Sequence, residues 1–241
     1  MPTLPPGHLL YAIGDIHGRS DLLAKLLAEI DADASQREGV ERRTLVFIGD
    51  YIDRGPDSFG VVELLLNALP AGFDVHFLKG NHESIMLDFL EDPSCLGQWL
   101  ANGAEATLRS YGVDVGTLAR ERARPETWRK AFLAALPGRH RAFFESLELM
   151  VPVGDYLFVH AGVRPGVPLE AQDPQDMIWI RGEFLRAPDD FGKVVVHGHT
   201  PTTVPDVRAN RIGIDTGAVF TGRLTALRLE DSSRGFVQTE A

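Results

Sequence analysis

Cysteine is almost missing from this chain: Cys95 is the only one in 241 residues. A single thiol excludes an internal disulfide framework and fits a reducing compartment. Lysine is scarce too, standing only at Lys25, Lys79, Lys130 and Lys193, although arginine is plentiful. Acidic residues outnumber basic ones, 34 to 24, for a formal charge of −10. That balance argues against a general nucleic-acid binder, which needs a basic face for the phosphate backbone. Long apolar runs are also lacking. The longest, such as "VVELLL", are far too short to cross a bilayer. The opening "MPTLPPGHLLYAIGD" has no basic start, and its apolar run flows straight into Asp15, unlike a signal peptide. The expectation is a cytoplasmic protein with no membrane and no nucleic-acid partner; composition leaves its oligomeric state open.

What is present suits an ordinary globular domain, and the length allows one large core. The first half alternates strand and helix patterns, which predicts a layered α/β fold. "LLYAIGD" (9–15) reads as a buried strand, followed by Leu22, Leu23, Leu26, Leu27 and Ile30 at helical spacing. "TLVFIGD" (44–50) and "DVHFLKGN" (74–81) repeat the pattern, each with a helix behind it. Residues 93–150 break the rhythm and predict a helical cap insertion within a single 1–241 domain. From 149 the chain turns β-rich, with a hairpin turning at Gly154-Asp155 and strands at 193–200, 211–217 and 223–230. Helix-joined strands followed by loop-joined strands predict two sheets packed together. The ends, 1–6 and 231–241, are expected to be loose.

Five short segments share one place in this pattern, where an apolar strand gives way to a loop. They are "GDIHG" (14–18), "GDYIDRG" (49–55), "GNHE" (80–83), "HAG" (160–162) and "HGHT" (197–200). Ligands in open α/β sheets gather at the carboxyl ends of strands. If these strands share an edge, Asp15, His17, Asp50, Asn81, His160 and His199 converge. Carboxylate, amide and imidazole donors together suit manganese, iron or zinc rather than calcium. Six ligands exceed the needs of one four-coordinate zinc, and an aspartate can bridge two ions. Asp50, in the middle early motif, is the candidate bridge. Two cations roughly 3.5–4 Å apart activate water and clamp an in-line phosphoryl displacement. Arg54 then supplies a planar, charged fork for phosphate oxygens. His82 is placed to protonate the leaving oxygen, and Asp53 to orient that imidazole and raise its pKa.

These segments resemble the metallophosphoesterase signature, specifically that of the phosphoprotein phosphatase family: GDxHG, GDxxDRG, GNHE and later histidine motifs, in order along nearly the whole chain. "WLANGAEATLRSYG", "IWIRGEF", "HGHTPT" and "IDTGAVFTGRLT" are similar to the short bacterial and phage members. The resemblance implies a four-layer β-sandwich flanked by helices, with a dinuclear centre between the sheets. Carried over by motif, Asp15, His17 and Asp50 would bind one metal, and Asp50, Asn81, His160 and His199 the other. Arg54 and Arg181 would hold phosphate, and His82 with Asp53 would form the acid pair. The implied nucleophile is a metal-bridging hydroxide, and the implied cofactors are two divalent ions, manganese first, with iron or zinc as alternatives.

Blander readings stand beside these. Asp15 and Asp50 taken singly are turn formers or helix caps. Arg181 has Glu183 as an alternative partner. His197 is as readily a packed residue as a functional one, Asn102 as readily a helix end as a pocket rim. No catalytic role is expected for His8, His76 or His140, and the aromatic residues of 95–147 are expected to form cap core. The leading activity is hydrolysis of phosphoserine or phosphothreonine in proteins, or of small phosphoesters. The alternative is symmetrical dinucleoside tetraphosphate hydrolysis; relatives with that activity resemble GDIQG, AR before the glycine, and GNHD, where this chain has His17, Asp53 and Glu83. A non-catalytic phosphate sensor would be marked by lost ligands, and none is lost.

Overall fold

The computed structural model describes residues 2–240. Strand β1 (His8–Ile13) leads into helix α1 (Ser20–Ser35), β2 (Arg42–Phe47) into α2 (Ser58–Asn67), and β3 (Asp74–Phe77) into α3 (Asn81–Glu91). Helices α4 (Leu96–Ala101), α5 (Ala104–Ser110), α6 (Val115–Arg120), α7 (Pro125–Ala135) and α8 (Gly138–Glu145) follow. The hairpin β4 (Met150–Val153) and β5 (Tyr156–Val159) precedes short helices α9 (Pro174–Trp179) and α10 (Gly182–Arg186). The chain closes with β6 (Val194–His197), β7 (Asp206–Val207), β8 (Arg211–Gly213), α11 (Ala218–Thr221), β9 (Thr225–Glu230) and β10 (Ser233–Gln238).

The strands form two five-stranded sheets, ordered β10-β9-β1-β2-β3 and β4-β5-β6-β8-β7. Within the first, β1, β2 and β3 run parallel; within the second, β5, β6 and β8 do. Side chains alternate across a strand, and both faces of β1 are apolar. Leu9, Tyr11 and Ile13 pack against the helices, while Leu10 and Ala12 pack against the second sheet. The second sheet returns the pattern. Tyr156, Phe158, Val194 and Val196 face inward, whereas Leu157, Val159 and Val195 lie on Met177 and Phe184 of α9 and α10. Double-sided burial yields the expected four layers, helices outside and two sheets within.

Local sequence explains the helices that set the site. In α1, Leu22, Leu23, Leu26, Leu27 and Ile30 are all buried, the single apolar face their spacing predicts. Asp57 caps α2 by accepting the Gly60 amide at 2.9 Å. In the region expected to be a helical cap, Trp99, Leu108, Trp128, Phe132, Phe143, Phe144 and Leu147 are buried in the same apolar cluster as Leu9 and Tyr11. Each fully buried side chain of that size contributes about 1.5–3 kcal/mol.

The structure corrects the sequence reading in three places. The ends are tied down, not loose: β10 pairs with β9, the Leu4 amide donates to Asp231 O at 2.9 Å, and the Leu224 amide donates to Thr239 Oγ1 at 2.9 Å. The sheet needs that extra strand, because β9 would otherwise expose a row of unpaired backbone groups. Residues 1 and 241 lie outside the described part. The third strand stops at Phe77, since Asn81, His82 and Glu83 are already the first turn of α3. Finally, β7 is a two-residue edge strand, too short to leave a pattern. No helix among the described residues is long and apolar enough to cross a membrane.

Candidate active site

Parallel strands from both sheets deliver the polar groups at their carboxyl ends. The first sheet brings Asp15 after β1, Asp50 after β2 and Asn81 after β3. The second brings His160 after β5 and His199 after β6. All five are buried. The two sets interlock: the His199 amide donates to both Asp15 oxygens at 3.0 and 3.2 Å, and the Gly198 amide to His160 O at 2.8 Å.

Asp50 is the hinge of the arrangement. One cluster joins His17, Asp50 and His82; a second joins Asp50, His160 and His199; the donor atoms within each lie within 4.8 Å of one another. Asp50 Oδ2 is 3.5 Å from His17 Nε2, and its Oδ1 is 3.6 Å from His160 Nε2. One carboxylate therefore belongs to both candidate clusters. Asp15 stands beside these clusters rather than in either, bound to the His199 backbone.

The ring nitrogens reveal what the clusters can hold. His17 Nδ1 donates to Ile52 O at 2.8 Å, and His160 Nδ1 donates to Ile48 O at 2.9 Å. Each bond fixes the tautomer and leaves Nε2 as a bare lone pair, the arrangement typical of metal-binding histidine. His160 Nε2 then faces Asn81 Oδ1 at 3.1 Å and His199 Nδ1 at 3.2 Å. Neither His160 Nε2 nor Asn81 Oδ1 carries a hydrogen to share. Lone pairs converging in a buried corner need a cation, so the residues fit divalent metal. The Arg54 guanidinium, 2.8 Å from His17 Nε2, is itself a positive group drawn to the same place.

Electrostatics agree. Burial lowers His17 to about 3 and His199 to about 2, so both are neutral at pH 7, the form that offers a lone pair. Burial, then Asp215, then Asp50 push the Asp15 carboxyl well above the carboxylate range. Burial likewise raises Asp215 to about 6. Crowded buried carboxylates favour protonation unless a cation offsets them.

Beside this corner lies a proton-handling pair. His82 Nδ1 donates to Asp53 Oδ2 at 2.7 Å, and both side chains are fully buried. Burial alone would lower His82, but the carboxylates of Asp50 and Asp53 outweigh it and raise it. Asp53 is held from three further directions. Trp99 Nε1 donates to Oδ2 at 3.0 Å, Thr107 Oγ1 donates to Oδ1 at 2.6 Å, and the Asp53 amide donates back to Thr107 at 2.8 Å. Arg54, exposed at the rim, sets Nη2 2.9 Å from His82 Nε2. Arg181, also exposed, donates to Thr200 Oγ1 at 3.3 Å. Its alternative partner Glu183 is taken by Arg164 at 2.6 Å.

Several residues carry the site without having been read from the sequence. Glu83 spreads its carboxylate over four amides: Asp50 and Gly80 at 3.0 Å, Tyr51 at 2.8 Å and Ile52 at 3.3 Å. Trp99 had the look of cap core, and Thr107 and Asp215 carried no assignment. His17, Asp50, Asp53, Arg54 and His199 all have positive φ, between 45° and 69°. Left-handed backbone costs a non-glycine residue about 1–2 kcal/mol, and such strain concentrates at functional sites. The motif glycines at 80 and 198 are set by close approach. A Cβ at Gly80 would lie 2.1 Å from Asp50 Oδ1, and one at Gly198 2.0 Å from Asp15 Oδ1. Both are places where a carboxylate must pass close to backbone.

The remaining polar candidates are occupied elsewhere. His197 points to the outer helices, its ring 5.0 Å from Phe184. Asn102 ends α4, bonding back to Gln98 O at 2.8 Å. His8 pairs with Thr44, His76 with Glu148, and His140 with Tyr111 and Glu63.

The chain is similar to known proteins. The calcineurin-like phosphoesterase family profile matches residues 8–227. Serine/threonine-protein phosphatase 1 of Salmonella typhimurium is 30% identical, covering 92% of each chain. The asymmetrical bis(5'-nucleosyl)-tetraphosphatase PrpE of Oceanobacillus iheyensis is 28% identical over 91% of this chain and 88% of its own. Among solved structures, a candidate diadenosine tetraphosphatase superposes with TM-score 0.65 at 21% identity, covering 100% of this chain and 99% of its own. A cold-active protein tyrosine phosphatase gives 0.60 at 18% identity, covering 97% and 81%.

Proposed function

The chain belongs to the calcineurin-like phosphoesterase family, and from that premise we propose that it removes phosphate from phosphoserine and phosphothreonine in proteins. Its general class is that of a metal-dependent phosphoester hydrolase. Two divalent cations held among Asp15, His17, Asp50, Asn81, His160 and His199, with manganese the first choice and iron or zinc alternatives, supply Lewis acidity toward water and phosphate.

The chain's own groups do the rest. Arg54 and Arg181 bind the phosphate oxygens as charged forks. His82 delivers a proton to the leaving oxygen, and Asp53 fixes its ring and favours the imidazolium. Trp99 and Thr107 keep Asp53 from turning away.

The single observation behind the protein-phosphatase reading is the 2.7 Å contact between His82 and Asp53. A serine or threonine alkoxide is a poor leaving group and gains much from protonation, whereas a nucleoside polyphosphate leaves readily without it. A fully buried, four-way-supported acid pair is expensive to build for the second task. The rival reading, dinucleoside tetraphosphate hydrolysis, draws on the PrpE relatives. Their name specifies asymmetrical cleavage, in place of the symmetrical cleavage weighed from sequence.

The deciding experiment compares kcat/KM on a phosphoserine peptide and on diadenosine tetraphosphate, with Mn²⁺ present. Preference for the peptide is expected. A tenfold or greater preference for the dinucleotide would overturn this reading, and its products would tell asymmetrical from symmetrical cleavage.

A further inference from the structure

Asp215 lies two residues past β8, where the Ile214 amide donates to His197 O at 2.8 Å and a turn begins. Its side chain is only 5% exposed. Oδ1 accepts the Gly217 amide at 2.8 Å, while Oδ2 has no hydrogen-bond partner among the described residues. Capping that turn needs one neutral oxygen, which asparagine or serine would provide without burying a charge. The carboxylate's second oxygen has no protein partner and is not wholly sealed from solvent, so it is open to a ligand.

Its neighbours indicate which kind. A Cβ at Gly14 would sit 2.5 Å from Ile214 O and 3.6 Å from the Asp215 Cα, so the ends of β1 and β8 touch across the two sheets. Asp15 follows Gly14 directly. The charge of Asp215 acts on Asp15 more strongly than that of Asp50 does, and Asp215 in turn senses Asp50, Arg54 and Arg181. Three buried carboxylates thus crowd one corner, and the arginines that act on them there, Arg54 and Arg181, are exposed. Asp15, which lies outside both histidine clusters, gains a companion on its own side.

We propose that Asp215 is a cation-positioning carboxylate, whose free Oδ2 helps retain a divalent ion at the Asp15 side of the centre. This assignment rests on the dinuclear reading above. It adds a residue from just past the third parallel strand of the second sheet to the six taken from motifs.

The test uses the full chain, stripped with a chelator and titrated with Mn²⁺ by calorimetry, with thermal melts of the stripped and loaded forms. Asp215→Asn keeps an acceptor for Gly217 and removes the charge. It should bind one Mn²⁺ 10–100-fold more weakly than wild type and leave the other position unchanged, the range seen when groups supporting a metal are lost. Its stripped form should melt no lower than wild type, because a repelled buried charge is gone. Asp215→Ser, which also keeps a turn acceptor, should repeat the loss and serves if the first variant folds poorly. Tight wild-type-like binding of both ions by either variant would overturn the assignment alone. A wild-type protein that takes up fewer than two Mn²⁺ would overturn the dinuclear reading and this assignment with it.

Discussion

Thr107 and Asp53, 54 residues apart, exchange two hydrogen bonds: the threonine hydroxyl donates to Asp53 Oδ1 at 2.6 Å, and the aspartate amide donates back at 2.8 Å. Helix α5 thereby reaches under the acid pair. Thr107→Val preserves shape but strips both contacts. It should cost about 1–3 kcal/mol of stability, since a buried polar group loses its partner. Turnover of a phosphoserine peptide should fall about tenfold or more. An aryl phosphate, whose leaving group needs little protonation, should be much less affected. Equal losses on both substrates would show that Thr107 merely holds the fold.

Glu83 gathers four amides of the Asp50 and Gly80 loops onto one carboxylate. Glu83→Gln would turn an NH₂ group toward amides that need an acceptor. A destabilisation of about 2–3 kcal/mol is expected in urea unfolding, together with weaker Mn²⁺ binding, because Asp50 is no longer held. A variant with wild-type stability and wild-type metal affinity would contradict this account.

Replacement of Arg54 by lysine retains the charge and removes the fork. Loss of a charge-assisted pair of bonds to phosphate corresponds to about 1.5–3 kcal/mol, or roughly 10–100-fold in kcat/KM. Inorganic phosphate should inhibit the Arg54→Lys protein correspondingly less, because product and substrate share that contact. Unchanged phosphate inhibition would remove Arg54 from the binding role.

Far from the site, Asp33 accepts from Tyr11 Oη at 2.5 Å, Arg37 Nη2 at 2.6 Å and Arg228 Nη1 at 3.0 Å, tying α1 to β1 and β9. Burial works to raise its pKa, but Arg37, Tyr11 and Arg228 together prevail and lower it. A depressed folded pKa means stability that is full above the unfolded value of about 3.9 and vanishes as pH falls through the folded one. Asp33→Asn should therefore be less stable than wild type by about 1–3 kcal/mol at pH 7. That gap should close on acidification below pH ~4. Melts at a series of pH values decide it; a gap constant down to the acid limit would refute the linkage.

Much of the site was legible because strand periodicity and strand-end polarity are local signals. Asp15, Asp50, Asn81, His160 and His199 each stand at the end of an apolar run, and the fold brings those runs to one edge. The same periodicity explains His197. Val195 faces the outer helices, so the residue two further along β6 does too, against Phe184. What escaped depends on distant partners. Trp99 looks like any core aromatic in an amphipathic helix, and nothing local shows that its indole N–H meets Asp53. Glu83 was visible as a motif letter but not as the acceptor for a neighbouring loop. Left-handed backbone at Asp50 or His199 leaves little mark either, since aspartate and histidine adopt it more readily than most residues yet usually stand elsewhere. The terminal strand β10 was lost to the prior that chain ends fray, although Leu4 and Val237 both pack inward.

The division of donors between the two sheets has a consequence for how the molecule becomes active. A nascent chain that has reached the β4 hairpin already carries Asp15, His17, Asp50, Asn81 and His82, yet lacks the histidines of the second sheet. His160, His199 and Asp215 arrive only with the second half. The centre is thus a rivet through a seam. The cluster of Asp50, His160 and His199 closes only when the two halves have met.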